Sequence, residues 1–259
     1  MDIVFALKHF FLSGHYNGHR VHSPNIFNFF LGTLFSKESF DYSLAEDCRK
    51  KFLNNNSSIN VLSIGAKGDG KSTEKKRISD IAKKSSSYGK YGRLLQRISS
   101  YLKPQKILEL GTSLGIGTLY LYAGEKNAKV ITLEASTETA EFAKNNFKSL
   151  NLENNIECIN KAFDSVFETI LQQNPDIELF YVDGNHTFEA TIRYYNLICK
   201  YALKTSVVIF DDINWSREMS KAWSEIKKTK ECIVSIETFR MGIVFFDNNL
   251  TQKNYIVRY

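Results

Sequence analysis

Two pairs of ionisable residues in the second half of the chain have the types and spacing to do chemistry. Asp183 is followed three residues later by His186, and Asp211 is followed directly by Asp212. Each pair comes at the end of an apolar run that predicts a buried strand, "IELFYVD" or "TSVVIFD". The carboxyl ends of neighbouring parallel strands meet at one edge of a sheet, so we expect these side chains to converge there.

Three carboxylates at one edge repel one another unless a cation or a proton is shared. Mg²⁺ prefers hard oxygen ligands and fills its other positions with water or substrate, which makes Asp183, Asp211 and Asp212 a candidate magnesium site. In the other interpretation Asp183 orients a bound cofactor, and the Asp211–Asp212 pair caps the helix predicted for "SREMSKAWSEIKK". The residues alone leave both interpretations open.

His186 is a candidate catalytic base beside these acids. An imidazole with a pKa near ~6.5 can take the proton of a hydroxyl group at neutral pH. A histidine that follows a strand is more often a loop or capping residue, so the catalytic role is a hypothesis.

A glycine-rich loop, "ELGTSLGIGTLYL", follows an earlier apolar strand. Gly111, Gly115 and Gly117 stand between a predicted buried strand and a predicted apolar helix, where a ligand can approach the backbone. Glu134 ends the next predicted strand, and a carboxylate at that place can accept both hydroxyls of a ribose. The spacing G-x-x-x-G-x-G differs from the G-x-G-x-x-G that binds a pyrophosphate, so the loop favours a nucleoside ligand without phosphates.

A second stretch, "SIGAKGDGKST" (63–73), matches the phosphate-loop pattern of nucleotide hydrolases, Gly65 to Ser72. A short strand is predicted before it at "INVLSI". The stretch after it has only two sizeable apolar side chains, too few to anchor the helix that a phosphate loop needs. We therefore expect a flexible cover over the site here, although "VVIFDD" also imitates the acidic strand end of nucleotide hydrolases.

The chain changes character near residue 100, where apolar strands begin to alternate with helical stretches. Strands are predicted at 106–111, 129–134, 155–160, 177–183 and 205–211. Such alternation predicts a parallel α/β sheet with right-handed crossovers and helices on both faces. The runs "CIVSIETF" and "GIVFFD" follow each other so closely that they must pair antiparallel. We divide the chain into an N-terminal helical and loop cap region, 1–91, and an α/β domain, 92–259.

The charge of the chain is unevenly placed. Its net charge is +6, with 43% hydrophobic residues that can form a core. From Lys67 to Lys106 twelve Lys and Arg residues stand against three acids. A solvated lysine-rich surface is the simpler interpretation, and a nucleic acid or other acidic partner is the alternative.

The four cysteines are scattered without a CxxC pair, which argues against a zinc cluster and favours a reducing cytoplasm. No apolar run approaches the ~20 residues of a membrane span, and the apolar start predicts an amphipathic helix. His15, His19 and His22 match no zinc spacing. A helix capped by Ser23, with Pro24 at its first position, is predicted after them. Its buried face is expected to contain Phe27, Phe30 and Leu34.

Four motifs in series carry a resemblance to a known family: "ILELGTSLGIGT", "VITLEAS", "YVDGNH" and "VVIFDDINWS". In this order they resemble the class I S-adenosylmethionine-dependent methyltransferases, and most of all their bacterial small-molecule O-methyltransferase (catechol-type) branch. The resemblance covers about residues 92–247. It implies a Rossmann-like, seven-stranded, mostly parallel sheet with a reversed last strand, and an N-terminal helical cap.

The resemblance also implies site residues. The implied cofactor set is Glu109, Gly111, Ser113, Gly115, Thr118, Glu134, Ala162, Phe163 and Asp183. Within it the glycine loop holds the methionine part of S-adenosylmethionine, Glu134 the ribose, and Ala162 with Phe163 the adenine. Relatives often carry a serine where this chain has Gly117, so Thr118 is expected to take its place. In metal-dependent relatives the positions of Asp183, Asp211 and Asp212 bind the divalent ion, with Asn in place of Asp212.

The expected function is then methyl transfer to a hydroxyl oxygen of a small molecule, with Mg²⁺ as the open question and with His186 and Asp183 as catalytic residues. Two other classes stay open: a phosphate-loop nucleotide hydrolase, and a non-catalytic cofactor-binding or RNA-binding protein of the same fold.

Overall fold

The computed structural model describes residues 13–14, 21, 23–64, 71–84 and 88–259. Within these ranges the helices are α1 (Pro24–Gly32), α2 (Ser43–Leu53), α3 (Ile78–Lys84), α4 (Gly89–Leu102), α5 (Ile116–Gly124), α6 (Thr137–Ser149), α7 (Phe163–Gln173), α8 (Phe188–Tyr201) and α9 (Arg217–Ile226). The strands are β1 (Ser58–Ile64), β2 (Lys71–Arg77), β3 (Lys106–Leu110), β4 (Lys129–Glu134), β5 (Ile156–Asn160), β6 (Leu179–Val182), β7 (Val207–Phe210), β8 (Val234–Glu237), β9 (Gly242–Phe245) and β10 (Lys253–Ile256).

Strands β3 to β10 belong to one eight-stranded, mostly parallel sheet, which has one strand more than predicted. The five apolar runs predicted as strands are confirmed as β3 to β7. Runs of this kind were recognisable because parallel strands covered on both faces are apolar along their whole length. The chain divides into two compact units, Glu38–Phe167 and Met1–Lys37 with Glu168–Tyr259. The predicted boundary between residues 91 and 92 stays a prediction.

In the Glu38–Phe167 unit, β3, β4 and β5 pair in parallel. Leu110 lies opposite Leu133, and Glu134 lies opposite Asn160. This register places the glycine loop, which begins at Gly111, level with the carboxyl end of β4. Glu134 and the loop are therefore neighbours because of strand pairing alone.

In the unit that contains Glu168–Tyr259, the strand order is β10-β8-β9-β7-β6. Strand β9 runs antiparallel to both β7 and β8, and β10 runs parallel to β8. Val182 of β6 lies opposite Phe210 of β7, and Phe210 lies opposite Gly242 of β9. Three segments therefore meet at one edge of this unit's strands: the one after β6, the one after β7 and the turn before β9.

The phosphate-loop match is followed by a strand. The predicted strand "INVLSI" is confirmed as β1, and it pairs antiparallel with β2, where Ser72 lies opposite Ser63. Residues 65–70, and with them the expected flexible cover, lie outside the described residues. A phosphate loop needs a helix where β2 stands, so the described flanks contradict the nucleotide-hydrolase interpretation.

Helix α1 begins as predicted after Ser23, with Pro24 in its first turn. Phe30 and Leu34 are buried as expected, but Phe27 is 36% exposed. Ile26 and Phe29 take its place, and the Phe29 ring packs edge-on against Phe245 at 5.1 Å. Phe27, Phe30 and Leu34 share one side of the helix, but Phe27 lies at the edge of the buried face, which is centred on Ile26, Phe29 and Phe30. The three N-terminal histidines and the amphipathic helix predicted before them lie outside the described residues.

Candidate functional site

The loop between β3 and α5 contains residues with positive φ, a backbone conformation that is typical of loops to which a ligand comes close. Gly111 has φ 109°, Ser113 φ 48° and Gly115 φ 83°. A Cβ atom on Gly115 would lie 2.6 Å from Cζ of Phe147, so this glycine is required by packing as well as by its φ. The loop therefore carries backbone groups where side chains would block a ligand.

Glu134, at the end of β4, forms a hydrogen bond with this loop. Its carboxylate accepts hydrogen bonds from the Ser113 N–H at 2.9 Å and the Ser136 N–H at 2.8 Å. Burial raises the pKa of Glu134, and the backbone N–H donors act in the opposite direction. A carboxylate has about four lone-pair positions, so Glu134 keeps acceptor capacity for the hydroxyls of a ribose.

Glu109 and Thr118 lie beneath the loop as a buried pair. The Thr118 hydroxyl donates to Glu109 at 2.5 Å, the Thr132 hydroxyl donates to the same oxygen at 2.6 Å, and Thr118 is fully buried. Thr112 joins the group through the Thr132 hydroxyl at 2.6 Å. This network supports the loop from within, and the expected contact of Thr118 with a cofactor stays a prediction.

The residues expected beside an adenine lie at the start of α7. Ala162 is exposed and Phe163, the first residue of the helix, is half-buried. The Ala162 carbonyl accepts hydrogen bonds from the Ser165 N–H and hydroxyl. Asn160, just before them, donates its side-chain N–H to the Glu134 carbonyl at 2.9 Å. The carboxylate of Glu134 and the glycine-loop backbone are a donor and acceptor set that fits the nucleoside of S-adenosylmethionine.

The second group of predicted residues surrounds a buried tyrosine in the unit that contains Glu168–Tyr259. The Tyr181 hydroxyl donates to Asp211 at 2.8 Å and approaches Asp183 at 3.1 Å. Asp211 is fully buried. Asp183 and Asp211 are thus brought together as predicted, but through a phenol that the sequence did not indicate.

Arg240 is a second residue of this group that the sequence did not indicate. Its Nε lies 2.8 Å from Asp211 Oδ1 and 3.1 Å from Asp212 Oδ1, and its Nη2 lies 3.0 Å from Asp211 Oδ2. Burial would lower the pKa of Arg240, but the charges of Asp211 and Asp212 raise it, so the side chain is a permanent cation. The one available signal was the reversed strand β9, which returns the preceding turn to the carboxyl end of β7.

The segment after β7 also forms hydrogen bonds with backbone carbonyls of the β8–β9 turn. The Ile213 N–H donates to the Arg240 carbonyl at 2.9 Å, and the Asn214 side-chain N–H donates to the Phe239 carbonyl at 2.9 Å. Asp212 has φ 53°, and its N–H donates to Asp211 Oδ1. Ser216, which caps α9 by accepting from the Met219 N–H, takes the capping role considered for the aspartates.

His186 lies beside Asp183, with 3.5 Å between His186 Nε2 and Asp183 Oδ1, and its side chain is 29% exposed. Burial alone would lower the pKa of His186, but the hydrogen bond and charge of Asp183, with the charges of Asp212 and Asp211, raise it above the usual value. Thr187, not His186, caps α8. The imidazole is therefore available for another role.

Burial also raises the pKa of Asp211 and Asp212, and the Arg240 guanidinium acts against that shift. The charge of Asp183 adds to the rise at both positions. The cluster is thus an electrostatically coupled group of three acids, one fixed cation and one imidazole.

The predicted magnesium ligands Asp211 and Asp212 already contact a guanidinium, and the magnesium site stays a prediction. Arg240 donates hydrogen bonds to both oxygens of Asp211, and its Nε also lies 3.1 Å from Asp212 Oδ1. An ion that bridged these two aspartates would have to displace that guanidinium. Ligand atoms of Asp183, His186 and Asp212 do lie within 4.8 Å of one another. A set with an imidazole nitrogen suits Mn²⁺, Fe²⁺ or Zn²⁺ better than Mg²⁺, but Asp212 Oδ1 of this set lies 3.1 Å from the Arg240 Nε.

Comparison with known proteins finds similarity to methyltransferases. Residues 108–213 match the family whose model is described as a methyltransferase domain. The O-methyltransferase hkm8 of Aspergillus hancockii is 29% identical over 127 residues, 47% of this chain and 49% of that protein. The chain spans about half the length of the curated relatives it matches, 49% and 58%.

Solved structures resemble the chain over most of its length. The O-methyltransferase from Bacillus cereus, in complex with SAH, covers 85% of this chain and 97% of its own, with a TM-score of 0.53 and 18% identity. The SAH-bound methyltransferase PaMTH1 of Podospora anserina covers 82% and 98%, with a TM-score of 0.55 and 15% identity. The chain thus has the fold of these methyltransferases, and its residues 108–213 are similar to a methyltransferase domain. The bacterial catechol-type branch stays a prediction.

None of the helices in the described ranges has the length and apolar character of a membrane span.

Proposed function

We propose that this protein is an S-adenosylmethionine-dependent O-methyltransferase that acts on a hydroxyl group of a small molecule. The observation that carries the proposal is the contact of Glu134 with Ser113 in the glycine loop, at the ends of two paired parallel strands. This pairing of a carboxylate with a glycine-rich backbone suits a nucleoside, and the fold is that of class I methyltransferases. The match to one curated O-methyltransferase supports the choice of oxygen as the acceptor atom.

The cofactor set is proposed as the residues around this contact. Glu134 binds the ribose, the loop from Gly111 to Gly115 holds the methionine part, and Phe163 with Ala162 flanks the adenine. Glu109 and Thr118 hold the loop in shape from below. S-adenosylmethionine, when bound, supplies an electrophilic methyl carbon on its sulfonium.

The work left to the protein is to orient the acceptor oxygen and to take its proton. His186 is proposed as the base, because its pKa is raised by the acids around it and it has no capping role. Asp183 lies 3.5 Å from one ring nitrogen and fixes the orientation of the ring, which leaves the other nitrogen to accept the proton. No step of this mechanism requires a metal ion.

A screen with methyl-labelled S-adenosylmethionine tests the proposal. Phenolic, sugar and nucleic-acid acceptors are offered, and transferred label is measured for the wild type and for His186→Gln. We expect label on a small hydroxyl compound and at least a tenfold lower rate for His186→Gln. Label in RNA alone would replace the small acceptor by a nucleic acid. Cofactor binding without transfer to any acceptor would identify a non-catalytic binder.

A further inference from the structure

The arrangement of charges in the acidic cluster leads to an inference about its cation. One guanidinium donates hydrogen bonds to both carboxylate oxygens of Asp211 and forms an ion pair with one oxygen of Asp212. The Nε of Arg240 stands between the two carboxylates, where a bridging metal ion would otherwise lie. The positive charge that converging acids need is therefore supplied by a side chain of the same chain.

Arg240 is a largely buried member of this cluster and not a mobile surface charge. Its side chain is only 19% exposed, and the Asp211 side chain is not exposed at all. The opposition of Phe210 and Gly242 in paired strands fixes the distance between the two segments. The Ile213 N–H and the Asn214 amide bond the same turn. Two-pronged geometry with both partners held in this way is the strong form of an arginine–carboxylate contact.

We propose that Arg240 replaces the divalent ion in this acidic cluster, and that it positions Asp211 and Asp212 so that the cluster works without a metal. The second half of this statement rests on the proposed function; the first half does not. Arg240 acts through the aspartates, so it is a positioning residue. Removal of its charge should open the cluster to a divalent ion, because the acids would again lack a counter-charge.

The claim that Arg240 replaces the divalent ion can be tested without cofactor or acceptor. Binding of Mn²⁺ is measured by the loss of the EPR signal of the free ion. We expect wild type to leave ~0.1 mM Mn²⁺ free in solution. Arg240→Gln should bind one Mn²⁺ per chain at least tenfold more tightly than wild type. Arg240→Lys, which keeps a positive charge, should behave as wild type. Arg193→Gln, which removes an exposed arginine of α8, is the matched control and should also behave as wild type.

Arg240→Gln leaves the Asp211 charge buried without its partner, which can cause misfolding. A second variant without that unpaired charge therefore repeats the test. Asp211→Asn combined with Arg240→Gln removes both charges of the pair and keeps a carbonyl oxygen at position 211. This double variant should also gain Mn²⁺ binding. Tight Mn²⁺ or Mg²⁺ binding by the wild type would overturn the proposal. So would a failure of both charge-removal variants to bind Mn²⁺ more tightly than the wild type.

The claim that the cluster works without a metal is tested by measuring turnover in the presence of a chelator. Wild-type methyl transfer should be unchanged by EDTA, and Arg240→Gln should lose activity that added Mn²⁺ partly restores. Loss of wild-type turnover in EDTA would contradict it. Titration of S-adenosylmethionine into the same samples keeps the two proposals apart, since failed cofactor binding would refute the function and leave the Mn²⁺ result standing.

Discussion

Arg240 and Asp211 form a two-pronged ion pair across the ends of two antiparallel strands, with Nε–Oδ1 2.8 Å and Nη2–Oδ2 3.0 Å. The two residues are 29 positions apart in the chain and meet because β9 returns beside β7. A carboxylate as deeply buried as Asp211 is strongly unfavourable without such a partner. The pair therefore links the stability of the fold to the geometry of the candidate site.

The first prediction concerns that stability. Arg240→Met leaves the Asp211 charge buried and unpaired, and should lower the free energy of unfolding by about 3–5 kcal/mol. Adding Asp211→Asn removes the unpaired charge and should recover a large part of this loss. Urea unfolding of the single and double variants measures both. Equal stability of the two variants would show that the ion pair is not what Arg240 contributes.

The second prediction concerns the glycine loop. Gly115→Ala places a Cβ against the Phe147 ring at a φ of 83° and should destabilise the protein by about 2–4 kcal/mol. Gly89→Ala is a matched control, because Gly89 has φ 59° but nothing within 4 Å of its Cβ position. It should cost only the ~1–2 kcal/mol of the left-handed conformation. If the two variants unfold at the same urea concentration, the contact with Phe147 has no energetic weight.

The third prediction concerns pH. A raised pKa means that His186 stays protonated to a higher pH than usual, so the wild-type rate should fall as pH decreases through that value. Asp183→Asn removes the hydrogen bond and charge that raise the pKa, so the acid limb of the kcat profile should move to lower pH. Glu189→Gln, an exposed carboxyl change on α8, should leave the limb in place. An unchanged acid limb in Asp183→Asn would mean that another group is the base.

The strands and the glycine loop could be predicted from the sequence because each depends on local pattern. Buried parallel strands are continuous apolar runs, and a glycine loop with an acid at the next strand end has a recognisable spacing. The convergence of Asp183 with Asp211 followed from the same parallel register, in which Val182 lies opposite Phe210.

Arg240 could not be predicted in the same way. It is a single arginine in a turn, and only the pairing of Phe210 with Gly242 brings it to Asp211. The error at Phe27 concerned the width of the buried face, because the spacing of the apolar residues does not show where that face ends. The magnesium site stays a prediction for a related reason, since three acids in a sequence do not reveal a cation such as Arg240 that the fold places beside them.

The central claim is that Glu134 and the glycine loop bind S-adenosylmethionine. Calorimetric titration of S-adenosylmethionine into wild type, Glu134→Gln and Glu138→Gln tests it most directly. Glu138 is a matched control on α6, whose carboxylate bonds Asn60 of β1 instead of the loop. The account predicts one site per chain, and affinity lowered about 10- to 100-fold in Glu134→Gln alone, the loss of a charge-assisted hydrogen bond. Equal affinity in all three proteins, or binding of ATP that Lys71→Ala abolishes, would contradict it.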